Sequence, residues 1–120
     1  MKFTVITNNP LVNNKIEGAV YNCDASFIDI LIAVRNKVHL GHILLTHPLS
    51  GSVGPGQTPY KSVVISAEYG EKTDFKSISI IEDAIAITRA HVARSDVNWN
   101  DKALADFQLI DYSLIADIIC

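Results

Sequence analysis

The chain has 120 residues, which is enough for one compact domain and too few for two. Apolar residues make up 48% of it and charged residues 19%, with a mean hydropathy of +0.21, so the chain can bury a core. Intrinsic disorder and a disulfide-stapled miniprotein are therefore excluded. The formal net charge of −3 argues against a nucleic-acid-binding protein whose affinity rests on a basic face.

No segment of the sequence is typical of targeting or of a membrane span. The apolar run at 3–6 is far shorter than a signal-peptide core, and no run approaches the roughly 18 apolar residues of a membrane helix. Cys23 and Cys120 form no Cys-x-x-Cys pair, which indicates two reduced thiols. We expect a cytoplasmic protein with no membrane partner, no metal and no cofactor.

The first predicted elements are two strands separated by a short helix. Apolar runs rich in β-branched residues at 3–7 and, more weakly, at 19–23 indicate strands. Between them, Asn9 and Pro10 are typical of an N-cap followed by proline at the first helical position. Gly18 then ends this helix.

A second helix and a third strand are predicted next. Ser26 and Asp29 approximate a capping box, and the apolar spacing that follows stays helical until Gly41 supplies the C-cap. The aliphatic run at 43–45 indicates a third strand, buried on both faces.

After a long loop, the rest of the chain predicts one strand and two helices. Residues 62–66 form the fourth strand. Ser79 and Glu82 predict a capping box for the first of the helices, and the last helix covers about 101–119.

This order of elements predicts a single α/β domain over residues 1–120, a small three-layer α/β/α sandwich with two C-terminal helices. Right-handed crossovers give a mostly parallel four-stranded sheet in the order 2-1-3-4. We favour an antiparallel fourth strand, because its connection is short for a helical crossover. The first and third strands then flank a switch point, where open sheets bind ligands beyond the carboxyl ends of their strands.

The loop at 46–61 is the candidate ligand site at this edge. It holds three glycines, three prolines and five hydroxyl side chains. Glycine lets backbone N–H groups face a ligand, and the hydroxyls with one lysine would complete an oxyanion site. The glycine spacing matches neither the dinucleotide fingerprint nor a phosphate-binding loop, so a rigid surface connection remains the alternative.

Charge patterning also favours an anionic ligand in the middle of the chain. Residues 30–67 contain no Asp or Glu, whereas the five aspartates within 96–120 are most simply the solvated face of a helix. His47 has the chemistry of a general base or of a hydrogen-bond donor to an anion. The alternative is a structural histidine bonded to loop backbone, since no acidic partner is near it in sequence.

The same residues resemble the GrdX family. Its members are small proteins encoded beside the glycine, sarcosine or betaine reductase system of anaerobic amino-acid fermenters. The resemblance therefore implies a setting rather than a reaction, and it carries over no catalytic residue. The segments that carry it are Ile6-Thr7-Asn8-Asn9-Pro10, Ser26-Phe27-x-Asp29, Gly41-His42-x-Leu44-Leu45-Thr46-His47-Pro48-Leu49-Ser50-Gly51-Ser52-Val53 and Thr58-Pro59-Tyr60-Lys61-Ser62.

Three functions follow as hypotheses. The first is a non-catalytic accessory protein that binds a small anion or phosphorylated metabolite at the switch point. The second is an adaptor that docks on reductase subunits or forms a homodimer through the apolar end of the last helix, at Ile115, Ile118, Ile119 and Cys120. The third is an enzyme that handles a phosphoryl or acyl group with His47 as its acid or base. The ligand-binding residues predicted for the first are Thr7, Asn8, Asn9, Thr46, His47, Ser50, Gly51, Ser52, Tyr60 and Lys61.

Overall fold

Strands and helices alternate in a mixed α/β fold. The computed structural model describes residues 2–49, 58–91 and 99–119. Within these ranges there are three strands, β1 (Phe3–Thr7), β2 (Val20–Tyr21) and β3 (Ser62–Ser66), and four helices, α1 (Pro10–Lys15), α2 (Phe27–His39), α3 (Phe75–His91) and α4 (Asp101–Ile119).

The helix starts of the first half and the turn after α2 lie where the sequence predicts them, whereas α1 ends at Lys15 with Ile16 as its C-cap and not at Gly18. Asn9 caps α1 through its side chain, with proline at the next position. Ser26 and Asp29 form the complete capping box of α2. Gly41 follows α2 with a φ of +111°, and a Cβ there would collide with the carbonyl oxygen of Gly70. The local signals of the helix starts and of the turn after α2 are therefore sufficient in this half of the chain.

The sheet differs from the predicted one in its strand order and direction. Its order is β2-β1-β3, with β2 parallel and β3 antiparallel to β1. The prediction of a mostly parallel, four-stranded sheet in the order 2-1-3-4 is wrong: the predicted fourth strand, now β3, takes the place beside β1. The antiparallel direction that the short connection favours is confirmed, with Thr7 opposite Ser62 and Phe3 opposite Ser66.

Residues 43–45 lie on the outer side of β3 and form only an isolated antiparallel bridge between Leu44 and Ile65. Side-chain hydroxyls take up backbone groups that a fourth strand would pair. Ser66 Oγ accepts from the N–H of Ile43, and Thr46 Oγ1 accepts from the N–H of Val64. This competition by hydroxyl groups explains why an aliphatic run that is typical of a strand does not continue the ladder.

Two buried clusters lie on the two faces of the sheet. Ile6, Val63 and Ile65 belong to one cluster together with residues of α2 and α3. Val5 and Val64 belong to the other, with residues of α1 and α4. Alternate residues of β1 and β3 therefore serve opposite faces, and α4 closes the second face close to the first turn of α1.

The start of α3 corrects a second prediction. The helix begins four residues before Ser79, because Asp74 Oδ2 accepts hydrogen bonds from the N–H and hydroxyl of Ser77 at 3.1 and 2.6 Å. Glu82 pairs instead with Arg35 of α2 at 3.7 Å. The last helix has the predicted bounds, and Asn100 Oδ1 accepts from the N–H of Ala103 at its start.

Candidate functional site

A buried polar network at the carboxyl edge of β1 joins the sheet to α4. Its centre is Asp111, which is 4% exposed. Asp111 Oδ1 accepts from the N–H of Ser62 at 3.1 Å, and Oδ2 accepts from the Ser62 hydroxyl at 2.6 Å and from Asn9 Nδ2 at 3.0 Å. Because the Ser62 proton goes to Asp111, the Thr7 hydroxyl donates to Ser62 Oγ across 2.6 Å. This carboxylate is therefore well satisfied by donors.

Two consecutive asparagines at the end of β1 tie this edge to its surroundings. Asn9 caps α1 through Oδ1, while its Nδ2 also donates to the carbonyl of Gln108 in α4. Asn8 Nδ2 donates to the carbonyls of Ala25 and Pro59, and its Oδ1 accepts from the N–H of Lys61. Both amides are fully engaged in holding the backbone, so they shape the edge rather than offer donors to a ligand.

Lys61 differs from Asn8 and Asn9 because no described hydrogen bond holds the end of its side chain. The residue is 6% exposed, and its Nζ lies 5.6 Å from the centre of the Phe27 ring. Among residues 2–49, 58–91 and 99–119, no hydrogen bond or ion pair reaches this nitrogen. Burial lowers the pKa of Lys61 below its usual range, and the nearby charge of Asp111 opposes part of that decrease. The amine is therefore held in a poorly solvated place without a close counter-ion.

A narrow pocket opens at Lys61 between the starts of α2 and β3 and the middle of α4. Its enclosed free volume is about 10 Å³, which is close to the minimum that holds one water molecule. Tyr60 Oη accepts from Gln108 Nε2 at 3.0 Å, and Thr58 Oγ1 accepts from the N–H of Tyr60 at 3.2 Å. No group among the described residues accepts either hydroxyl proton, so both can donate to a ligand. The described lining residues are Phe27, Thr58, Tyr60, Lys61, Phe107, Ile110, Asp111 and Leu114.

A tyrosine at the end of β2 is also perturbed at this edge. Burial raises the pKa of Tyr21, and the charges of Cys23, Tyr60 and Asp24 raise it further. Tyr21 therefore favours its neutral phenol form.

The predicted site residues separate into three groups. Thr7, Asn8, Asn9, Tyr60 and Lys61 come together at the sheet edge through the contacts described above. Thr46 and His47 follow the residue 43–45 segment on the far side of β3. Thr46 Oγ1 accepts from the N–H of Val64 and is buried there, whereas His47 is exposed and its Nδ1 accepts from the N–H of Leu49. Ser50, Gly51 and Ser52 lie outside the described residues.

Two important residues of the site are absent from the predicted set. Asp111 was expected on the solvated face of the last helix, with Asp101, Asp106 and Asp117, but only those three are exposed. The spacing of Leu104, Phe107, Asp111 and Ile115 carries the missed signal, because an aspartate on an apolar helical stripe indicates a buried, partnered carboxylate. Ser62 is the second missed residue. It can be assigned to the site only once β3 is paired with β1, which places Ser62 opposite Thr7.

The described ranges contain no group of three or more His, Cys, Asp or Glu side chains that could hold a metal ion. No helix in the same ranges is long and apolar enough to cross a membrane. Cys23 is exposed as a free thiol, and Cys120 lies outside the description.

Fold and site together define a small mixed α/β protein with a buried lysine amine at the carboxyl edge of its central strand. The chain belongs to the GrdX-like protein family, whose family model matches residues 4–120, nearly the whole chain. This match confirms the resemblance seen in the sequence. No curated protein matches the chain, and no solved structure matches it either.

Proposed function

We propose that this protein is a non-catalytic, cytoplasmic accessory protein of the glycine, sarcosine or betaine reductase system. Its role is to bind a small anion or phosphorylated metabolite at the Lys61 pocket. The observation that carries this proposal is Lys61, a residue that is only 6% exposed, lines the pocket and has no hydrogen bond or ion pair to its amine among the described residues. A desolvated cation of this kind gains most when an anion replaces the missing solvent.

The surrounding donors support binding of an anion. The oxygens of Tyr60 and Thr58 accept hydrogen bonds, and no described group accepts their hydroxyl protons. The carboxylate in the same wall, Asp111, is already neutralised in part by three donors from Ser62 and Asn9. The pocket therefore offers positive charge and donors, while its acid is occupied elsewhere.

Binding is favoured over catalysis because the described lining contains no histidine, and its one carboxylate, Asp111, already accepts three hydrogen bonds. His47, the candidate catalytic residue, is exposed and does not line the pocket among the described residues. Hydrolysis of acetyl phosphate by the wild type but not by His47→Ala would support the enzyme instead. Equal absence of turnover in both proteins agrees with a binding role.

An adaptor or homodimer is the second candidate, and exposed apolar side chains on α4 favour it. Ile110 is 38% and Ile118 is 56% exposed on neighbouring parts of the α4 surface, although Ile115, expected to be exposed, is buried at 3%. A docked reductase subunit or a second copy would cover this surface. A monomeric mass at micromolar concentration and no co-purifying reductase subunit would count against this candidate.

Thermal shifts of the purified protein test the proposed binding directly. The panel is phosphate, acetyl phosphate, acetate, glycine, betaine and common nucleotides, tested on wild type, Lys61→Met and Lys76→Met. Lys76 is exposed on α3, so its variant removes the same charge away from the pocket. A ligand at 100 times its Kd should raise Tm by roughly 10 °C in wild type and Lys76→Met. Absence of any shift, or an equal shift in Lys61→Met, would contradict the proposal.

A further inference from the structure

We infer that the Lys61 pocket selects a small aliphatic monocarboxylate and discriminates against phosphate. This inference rests on the proposed function, because it assigns a ligand class to the same pocket. Three features of the pocket carry it: the balance of its charges, the room at the amine, and the apolar side chains around the donors.

The charges favour a singly charged ligand. The wall contains one ammonium group, Lys61, and one carboxylate, Asp111, so a ligand with two negative charges has no second cation among the described lining residues. The attraction between the ligand and Lys61 grows in proportion to the ligand's charge. The cost of removing the ligand from water grows with the square of that charge, so it is roughly fourfold larger for a dianion than for a monoanion of equal size.

The room at the amine favours a planar head group. The free volume of about 10 Å³ corresponds to about one water molecule, so a small planar head group requires less movement of the wall than a tetrahedral one. The Lys61 ammonium and the Tyr60 and Thr58 hydroxyls match the two oxygens of a carboxylate. The additional oxygens of a tetrahedral phosphate would face Phe27, Phe107 or Leu114, where they would lack donors.

The remaining wall favours an aliphatic substituent on that carboxylate. Phe107, Ile110 and Leu114 line the pocket from one face of α4, and Ile110 is 38% exposed, so the apolar surface continues outward to solvent. A methyl or ethyl group that leaves the enclosed space would contact this surface. Each added methylene should then increase affinity about fourfold, which corresponds to about 0.8 kcal/mol.

A chain-length series tests the inference on the full-length protein. Amide NMR spectra are followed during titration with sodium acetate, propionate and butyrate, with inorganic phosphate, and with the uncharged isostere propionamide, all at constant ionic strength. Wild type is compared with Lys61→Met, which keeps an unbranched side chain as far as Cε and removes the amine, and with Lys76→Met as the charge-matched control. Tyr60→Phe removes one hydroxyl and leaves the ring in place.

The expected result is that affinity rises from acetate to butyrate, with shifts centred on residues 58–62 and 107–114. Phosphate and propionamide bind at least tenfold more weakly than propionate, and Lys61→Met loses at least tenfold in propionate affinity while Lys76→Met does not. Tyr60→Phe loses a smaller factor.

Each contrary result has a distinct meaning. Phosphate binding that is tighter than propionate binding and is lost in Lys61→Met would overturn the monocarboxylate inference and leave the proposed function intact. Affinity that is equal for acetate and butyrate would overturn the role of the apolar wall, and the inference with it. Absence of binding by every anion in the series, phosphate included, would overturn both.

Discussion

Asp111 and Lys61 are two buried ionisable side chains of opposite charge in one pocket wall, and the protein treats them differently. Asp111 is surrounded by donors from β3 and from the cap of α1, at distances of 2.6 to 3.1 Å. Lys61 has a backbone that is fixed by Asn8, but no described group bonds to its amine. The Asp111 carboxylate is hydrogen-bonded to β3 and to the cap of α1, whereas the Lys61 amine in the same wall has no described hydrogen bond.

This difference separates stability from binding. A buried charge with several donors makes the elements that supply those donors depend on one another, so its loss affects the whole domain. A buried charge without donors weakens the fold and is useful only when a ligand supplies what is missing. Substitutions at the two positions should therefore have opposite effects on the free energy of unfolding, which allows the comparison to be tested.

The largest effect is expected for Asp111→Ala. It leaves the Ser62 N–H, the Ser62 hydroxyl and one Asn9 amide hydrogen without their acceptor, and it leaves Lys61 without its nearest negative charge. We expect a loss of about 3–5 kcal/mol in the free energy of unfolding, measured by urea denaturation. Asp106→Ala, an exposed position on the same helix, should change it by less than about 0.5 kcal/mol. A loss of under about 1 kcal/mol for Asp111→Ala would mean that its hydrogen bonds to Ser62 and Asn9 contribute little to the stability of the fold.

Ser62→Ala should have an intermediate effect. Its hydroxyl links Thr7 to Asp111, so its removal breaks two side-chain hydrogen bonds and leaves the backbone N–H bond to Asp111 in place. We expect a loss of about 1–2 kcal/mol. The exposed Ser79→Ala in α3 is the matched control and should be nearly neutral. Equal effects of the two substitutions would mean that the Thr7–Ser62–Asp111 connection does not stabilise the fold.

Lys61→Met should act in the opposite direction, with a gain of about 1 kcal/mol at pH 7, because methionine fills the same space without a desolvated charge. The same urea denaturation measures it. A loss of stability greater than about 1 kcal/mol would show that the Lys61 amine stabilises the fold, as Asp111 does, and would contradict the proposed difference between the two residues.

The smallest expected effect is the pH dependence of that gain. The unfolded chain holds its lysine protons up to about pH 10.4, whereas burial lowers the pKa of Lys61 in the folded protein. Between the two pKa values the unfolded state binds more protons, so the stability of the wild type rises with pH relative to Lys61→Met. The advantage of methionine should be complete below the folded pKa and should shrink as the pH rises toward 10.4. A constant difference up to pH 10.4 would contradict the lowered pKa.

Local signals explain what could be predicted from the sequence. The caps at Asn9 and Ser26, the turn at Gly41 and the extent of α4 each depend on a few neighbouring residues, and each is where the pattern indicates. The antiparallel direction of β3 followed from a connection length, which is also a local quantity. Five of the predicted site residues share one edge because they follow β1 or precede β3 directly.

The features that could not be predicted from the sequence depend on contacts between residues that are far apart in the chain. Whether 43–45 forms a full strand beside β3 depends on hydroxyls such as those of Ser66 and Thr46, which the aliphatic pattern does not include. The burial of Asp111 depends on donors 49 and 102 positions away. Thr46 and His47 were expected at the edge only because their strand was expected beside β1.

The most direct test of the central claim is an NMR titration of the Lys61 side chain, with its signal assigned by comparison with Lys61→Met. Without an anion, we expect the pKa of Lys61 to lie below that of an ordinary lysine. Addition of saturating propionate should raise this pKa, because an anion beside the amine stabilises the protonated form. An ordinary lysine titration that propionate leaves unchanged would contradict the claim that Lys61 is the anion-binding group of this protein.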